Sequence, residues 1–137
     1  MNVPRVYLDS CIVIYLHEGT ADLQAAIRDR LLPPSGNRPI LNVSDLTRLE
    51  CRVRPLRQTD TSLLSEYDRF FSLPCISKLP LSSRVYDLAA ELRAQHRLRT
   101  PDALHLAAAI AGECEQFWTN DLRLAKAQAD IVLKTLP

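Results

Sequence analysis

No apolar run in this 137-residue sequence is long enough to span a bilayer. Its N-terminus lacks the basic, apolar and small-residue zones of a signal peptide, so the cytoplasm is the expected compartment. The four cysteines, Cys11, Cys51, Cys75 and Cys114, form no CxxC pair, and no histidine stands at zinc-finger spacing from them. Buried, reduced thiols are therefore expected rather than disulfides or a metal site. There is no internal repeat, low-complexity tract or evident linker, and the stretch 33–39, PPSGNRP, reads as an internal loop. Nor is there a bulk excess of charge, because 17 basic residues face 16 acidic ones for a net charge of +1.

What is present suits one compact domain over residues 1–137: 47% of residues are hydrophobic and 24% charged. Short apolar runs alternate with helical patterns. Strands are expected at 5–8, 39–43, 116–119 and 131–133, and 75–78 reads as a short strand or an extended connection. Helices are expected at 11–16 with Ser10 as cap, 22–32, 44–54 capped by Ser44 and stopped by Pro55, 59–71, 82–96, 100–112 opened by the cap Thr100 and Pro101, and 121–129. The helix ending near Gly112 is apolar almost all round and should be buried. Strands alternating with helices imply an α/β fold, with a parallel sheet covered on both faces.

In such sheets ligands bind beyond the carboxyl ends of the strands. Asp9 directly follows the first strand and Asp121 follows the strand at 116–119. Glu50 lies nearly two turns into the helix after the second strand, and Asp102 lies in the first turn of the apolar helix. Each acid has a plain reading. Asp9 could sit in a strand-to-helix turn, Asp121 could cap a helix, Asp102 could serve the helix dipole, and Glu50 could face water. Their occurrence at corresponding positions favours one crevice. Two carboxylates about 4 Å apart repel by roughly 4 kcal/mol at an effective dielectric of 20, so such a cluster calls for a cation. Oxygen ligands without His or Cys favour Mg2+, with Mn2+ as a substitute. A bound metal activates water and neutralises charge developing on a phosphate. With four acids committed to metal, 17 basic residues face 12 acidic ones, which suits a polyanionic substrate.

Four segments carry a family resemblance: YLDSCIVIYL at 7–16, SDLTRLECR at 44–52, RTPDALHLAAAI at 99–110 and FWTNDLRL at 117–124. In this order, and covering the whole chain, they resemble the acidic motifs of the VapC-type toxin branch of PIN-domain ribonucleases. The resemblance implies a three-layer α/β/α sandwich with a central, mainly parallel sheet. It implies metal-dependent hydrolysis of RNA phosphodiesters by the catalytic and metal-binding quartet Asp9, Glu50, Asp102 and Asp121. Ser10, Thr119 and Asn120 are supporting groups in that reading. It also implies a homodimer and a cognate antitoxin that blocks the site. A PIN nuclease of RNA processing without an antitoxin, and a noncatalytic α/β interaction module, are the alternatives. A dehalogenase-like phosphatase would need an aspartate two residues after Asp9, where Cys11 stands.

Arg48, Arg52, Arg54 and Arg57 cluster around the end of the Glu50 helix, and Arg97 and Arg99 flank the start of the Asp102 helix. Contact with RNA phosphates, above all by Arg48, Arg52 and Arg99, competes with a solvated helix face or salt bridges. His105 reads as a packing histidine in preference to a general base, His17 and His96 as loop or helix-end residues, and Trp118 as core.

Overall fold

The computed structural model describes residues 3–124 and 131–135. The chain runs β1 (Arg5–Leu8), α1 (Ser10–Glu18), α2 (Ala21–Leu31), β2 (Ile40–Val43), α3 (Asp45–Arg57), α4 (Thr61–Phe71), β3 (Ile76–Lys78), α5 (Ser83–His96), α6 (Thr100–Ala111), β4 (Gln116–Thr119) and β5 (Val132–Thr135). The sheet order is β3-β2-β1-β4-β5, with every neighbouring pair parallel.

Alternation along the strands sorts side chains into two cores. Val6 and Leu8 of β1 and Trp118 of β4 turn to one face, where they pack with Ile12, Ile27, Leu31, Tyr67 and Phe70 of α1, α2 and α4. Tyr7 and Phe117, one residue out of phase, turn to the other face, against Val85, Ala89 and Leu92 of α5 and Leu104, Ala107 and Ala108 of α6. The fold is thus the expected α/β/α sandwich. Residues 103–109 of α6 are all buried, as its apolar sequence requires. Among the described residues no helix is long and apolar enough to cross a membrane.

From β1 the chain builds outward through β2 to β3, then returns to place β4 on the other side of β1. This reversal opens a crevice at the carboxyl ends of β1 and β4, the position where open α/β sheets bind ligands. Register holds the two ends level: Leu8 is paired with Trp118, and the Asp9 N–H donates to the Trp118 carbonyl at 3.0 Å.

Several local expectations change. Asp9, not Ser10, caps α1, because the extended backbone of β1 carries through Asp9 (ψ 154°) and its carboxylate accepts the Ser10 N–H. Pro55 does not stop α3, which runs on to Arg57 with Pro55 buried inside it. The one N–H that proline removes falls in the last turn, and burial of its ring offsets that loss. Arg99 takes the cap position of α6, so Thr100 and Pro101 both lie in its first turn, where N–H groups have no helical partner. Gly112 ends α6 with φ −83°, and it is Glu113 (φ 58°) that turns left-handed. A Cβ at Gly112 would meet Leu79 Cδ1 at 2.6 Å, so the end of that side chain would have to shift. Of the helix expected at 121–129, residues 125–129 lie outside the described residues, and residues 122–124 form a turn in which the Leu124 N–H reaches the Asp121 carbonyl at 3.1 Å.

Candidate active site

Each of the four acids is placed by a different element. Asp9 ends β1 and is 6% exposed. Its Oδ1 accepts the Ser10 N–H at 2.8 Å, and its Oδ2 accepts the Thr119 hydroxyl at 2.7 Å. Thr119 Oγ1 in turn accepts the Asp121 N–H at 3.0 Å, so one buried hydroxyl joins the two strand ends. Glu50, half-buried on α3, meets His105 of α6, whose Nε2 is 2.5 Å from Glu50 Oε1 and 3.9 Å from Asp9 Oδ1. Arg99 completes the circuit, with its Nε 3.1 Å from Asp102 Oδ2 and its Nη2 3.9 Å from Asp121 Oδ2. Arg123 grips the Asp121 carboxylate with two nitrogens, at 2.9 and 2.6 Å. The four acids are therefore linked through Thr119, His105 and Arg99 at the crevice.

Their electrostatics differ. Burial raises the Asp9 carboxyl above the ordinary carboxylate value, opposed by His105, Thr119 and the Ser10 N–H. Burial also works against charge on Glu50, but the His105 hydrogen bond and attraction, the Ser10 hydroxyl and Arg99 outweigh it and lower the group. Asp121 is lowered chiefly by its hydrogen bonds from Arg123.

The PIN-domain family model matches residues 6–130. The chain belongs to the PIN-domain family. PIN domains are generally nucleases, and these nucleases generally use divalent metals. The structure of VapBC2 from Rickettsia felis bound to a DNA fragment from their promoter is similar with a TM-score of 0.79 at 17% identity, over 96% of this chain and 98% of that one. A toxin–antitoxin complex from Klebsiella pneumoniae matches with a TM-score of 0.68 at 21% identity, over 93% and 95% of the two chains. VapBC-5 from Mycobacterium tuberculosis, of the VapBC family of toxin–antitoxin systems, gives 0.63 at 18% identity, over 97% and 98%. At these identities the likeness is one of fold. No curated protein matched by sequence.

The donor set of this PIN domain suits a hard divalent cation, being carboxylate oxygen throughout. Among the described residues, however, no three His, Cys, Asp or Glu side chains are grouped to hold a single ion. Guanidinium groups pair with Asp102 and Asp121 instead. Asp9 and Glu50 retain free lone pairs beyond their hydrogen bonds, since each carboxylate oxygen has two.

The remaining candidates divide. Asn120 donates from Nδ2 to the Tyr15 hydroxyl at 3.1 Å, and its N–H meets Cys11 Sγ at 3.4 Å. Arg48 and Arg52 both bind Asp68 of α4, and Arg54 binds Glu18 at 3.1 Å, which makes them ties between helices. Trp118 is core, and His17 packs on Tyr67 and Phe70 in the last turn of α1. His105 is packed as expected, yet it also touches the acid cluster. The clue in the sequence was a polar ring inside an otherwise apolar helix, three residues after Asp102. A cavity of about 430 Å3 lined by Cys11, Tyr15, Asn120, Asp121, Leu122 and Arg123 adjoins the acids. A second, of about 530 Å3 between α1, α2 and α4, is lined by none of them.

Proposed function

We propose that this PIN domain is a divalent-metal-dependent endoribonuclease, the toxin of a toxin–antitoxin pair. The observation that supports the reading is the run of contacts through Thr119, His105 and Arg99 that connects Asp9, Glu50, Asp102 and Asp121. Family membership supports nuclease chemistry, and the similarity to toxin–antitoxin complexes supports the toxin role.

Asp9, Glu50, Asp102 and Asp121 would hold Mg2+, or Mn2+ in its place. When bound, the metal supplies an activated water and neutralises charge on the scissile phosphate. Ser10 and Thr119 hold the Asp9 carboxylate in a fixed orientation. Arg99 and Arg123, each 63% exposed on its side chain, hold Asp102 and Asp121 until a cation relieves them, and then face the phosphates of an RNA strand. The 430 Å3 cavity beside Asp121 gives that strand room.

An antitoxin segment presenting arginine would compete for the same carboxylates, as Arg99 and Arg123 already do within the chain. A homodimer is part of the reading. Leu49, Val53 and Leu56 of α3 are 57, 41 and 56% exposed and fall on one helix face.

The test is cleavage of structured and unstructured RNA with Mg2+, with EDTA and with Asp9→Asn. Cleavage restored by Mg2+ or Mn2+, leaving 5′-phosphates, is the expected result, and cyclic-phosphate products that persist in EDTA would refute it. The arginine pairing of Asp102 and Asp121 favours one other reading, a noncatalytic module. That module would cleave nothing under any metal condition.

A further inference from the structure

A buried polar chain ends on Glu50 and begins at the cap of α3. Ser44 Oγ accepts the Thr47 N–H in a capping box, and Thr47 Oγ1 accepts the Ser44 N–H at 3.2 Å. With its oxygen so engaged, the Ser44 hydroxyl proton is free for Tyr7 Oη, 2.8 Å away. Tyr7 Oη, which also has Thr47 Oγ1 at 3.3 Å, can then give its own proton to His105 Nδ1 at 2.7 Å. An imidazole nitrogen that accepts carries no hydrogen, so this arrangement would put the ring hydrogen on Nε2. That N–H faces Glu50 Oε1 at 2.5 Å, with Asp9 Oδ1 at 3.9 Å. The opposite neutral tautomer would set a bare lone pair against a carboxylate at 2.5 Å. Tyr7, Ser44, Thr47 and His105 are all 1% exposed or less, and no buried side-chain nitrogen or oxygen among the described residues lacks a partner. Bulk water is thus kept from satisfying the chain in another way.

We propose that His105 is a positioning residue for the acidic centre: the Tyr7 hydroxyl locks its Nε2–H tautomer, and that N–H fixes the Glu50 carboxylate beside Asp9. The consequence for metal affinity rests on the metal reading above; the tautomer lock does not. Groups that orient metal ligands commonly change affinity by about 10–100-fold when removed.

Two measurements decide it. Imidazole 15N NMR on the intact protein reads the tautomer directly. Titration with Mn2+ reads the affinity of the folded protein, without cleavage, in Tyr7→Phe, His105→Leu and His105→Gln. Tyr7→Phe keeps the ring stacked on Phe117 at a 5.3 Å centroid distance and removes only the hydroxyl. Nε2–H in the parent, mixed tautomers in Tyr7→Phe and an affinity about 10–100-fold weaker are expected. His105→Gln, whose amide N–H can take the Nε2 position, should recover most of what His105→Leu loses. A proton on Nδ1 in the parent overturns the proposal. So does a Tyr7→Phe protein with unchanged tautomer and unchanged Mn2+ affinity. If the parent binds no Mn2+, the metal reading fails, and the 15N spectra of the parent and Tyr7→Phe alone decide the lock.

Discussion

Thr119 Oγ1 donates a 2.7 Å hydrogen bond to Asp9 Oδ2 across 110 positions of sequence. The same oxygen accepts the Asp121 N–H, so it couples the ends of β4 and β1 and, through them, two of the acids. Thr119→Val preserves shape and removes both bonds. Hydrogen bonds to charged groups contribute about 1.5–3 kcal/mol, and a stability loss of that order is expected in urea unfolding. RNA cleavage should fall with it. Unchanged stability and cleavage would show that Asp9 needs no such support.

The four acids should behave as one unit. Asp9→Asn, Glu50→Gln, Asp102→Asn and Asp121→Asn should each reduce cleavage strongly, and any pair little more than either single change. Glu50 is the most informative, because its role depends on His105 rather than on a strand end. Near-full activity in Glu50→Gln would remove it from the site.

Metal should stabilise the folded state by RT ln(1 + [L]/Kd), about 2.7 kcal/mol at a hundredfold excess over Kd. Asp102→Asn should lose most of that gain. Without metal the same change breaks only a pair whose arginine is largely exposed, so its cost should stay within about 0–1 kcal/mol. Thermal melts in EDTA and in Mg2+ measure both. A Tm indifferent to Mg2+ over a wide range would argue against a preformed site.

Tyr67 carries a pH prediction. Burial raises its hydroxyl pKa, and the hydrogen bond it donates to Glu18 raises it further. The unfolded chain therefore loses this proton first, near pH 10. The stability is fully present below that pH and declines above it, by at most about 1.36 kcal/mol per pH unit. Melts of the parent between pH 8 and 10.5 should steepen downward above 10, and Tyr67→Phe should lessen the fall, the remainder coming from the Tyr7 hydroxyl and Cys51 thiol that burial also raises. Equal slopes would place the alkaline loss elsewhere.

The exposed face of α3 gives a test of association. Leu56→Glu sets a charge in the Leu49–Val53–Leu56 stripe and should convert a dimer to monomer in light scattering. A parent protein that is monomeric at high concentration would remove the dimer from the proposed function.

Most elements were legible because their signals are local. The run at 5–8, the amphipathic pattern at 82–96 and the apolar wheel of α6 each act within a few residues. Where local rules gave way, burial decided. Pro55 stays helical inside the packed end of α3.

The sequence by itself determined the order of strands and helices as far as β4, and it placed Asp9 directly after one strand and Asp121 two residues after another, because strand ends and periodicity are written in neighbouring residues. Only the tertiary structure decided what those acids meet. Arg99 and Arg123 hold Asp102 and Asp121, Asp68 claims Arg48 and Arg52, and His105 joins Tyr7, 98 positions away, to Glu50, 55 positions away. The physical reason is reach. A hydrogen bond acts over about 3 Å, so its partner is chosen by how the sheet and helices stack.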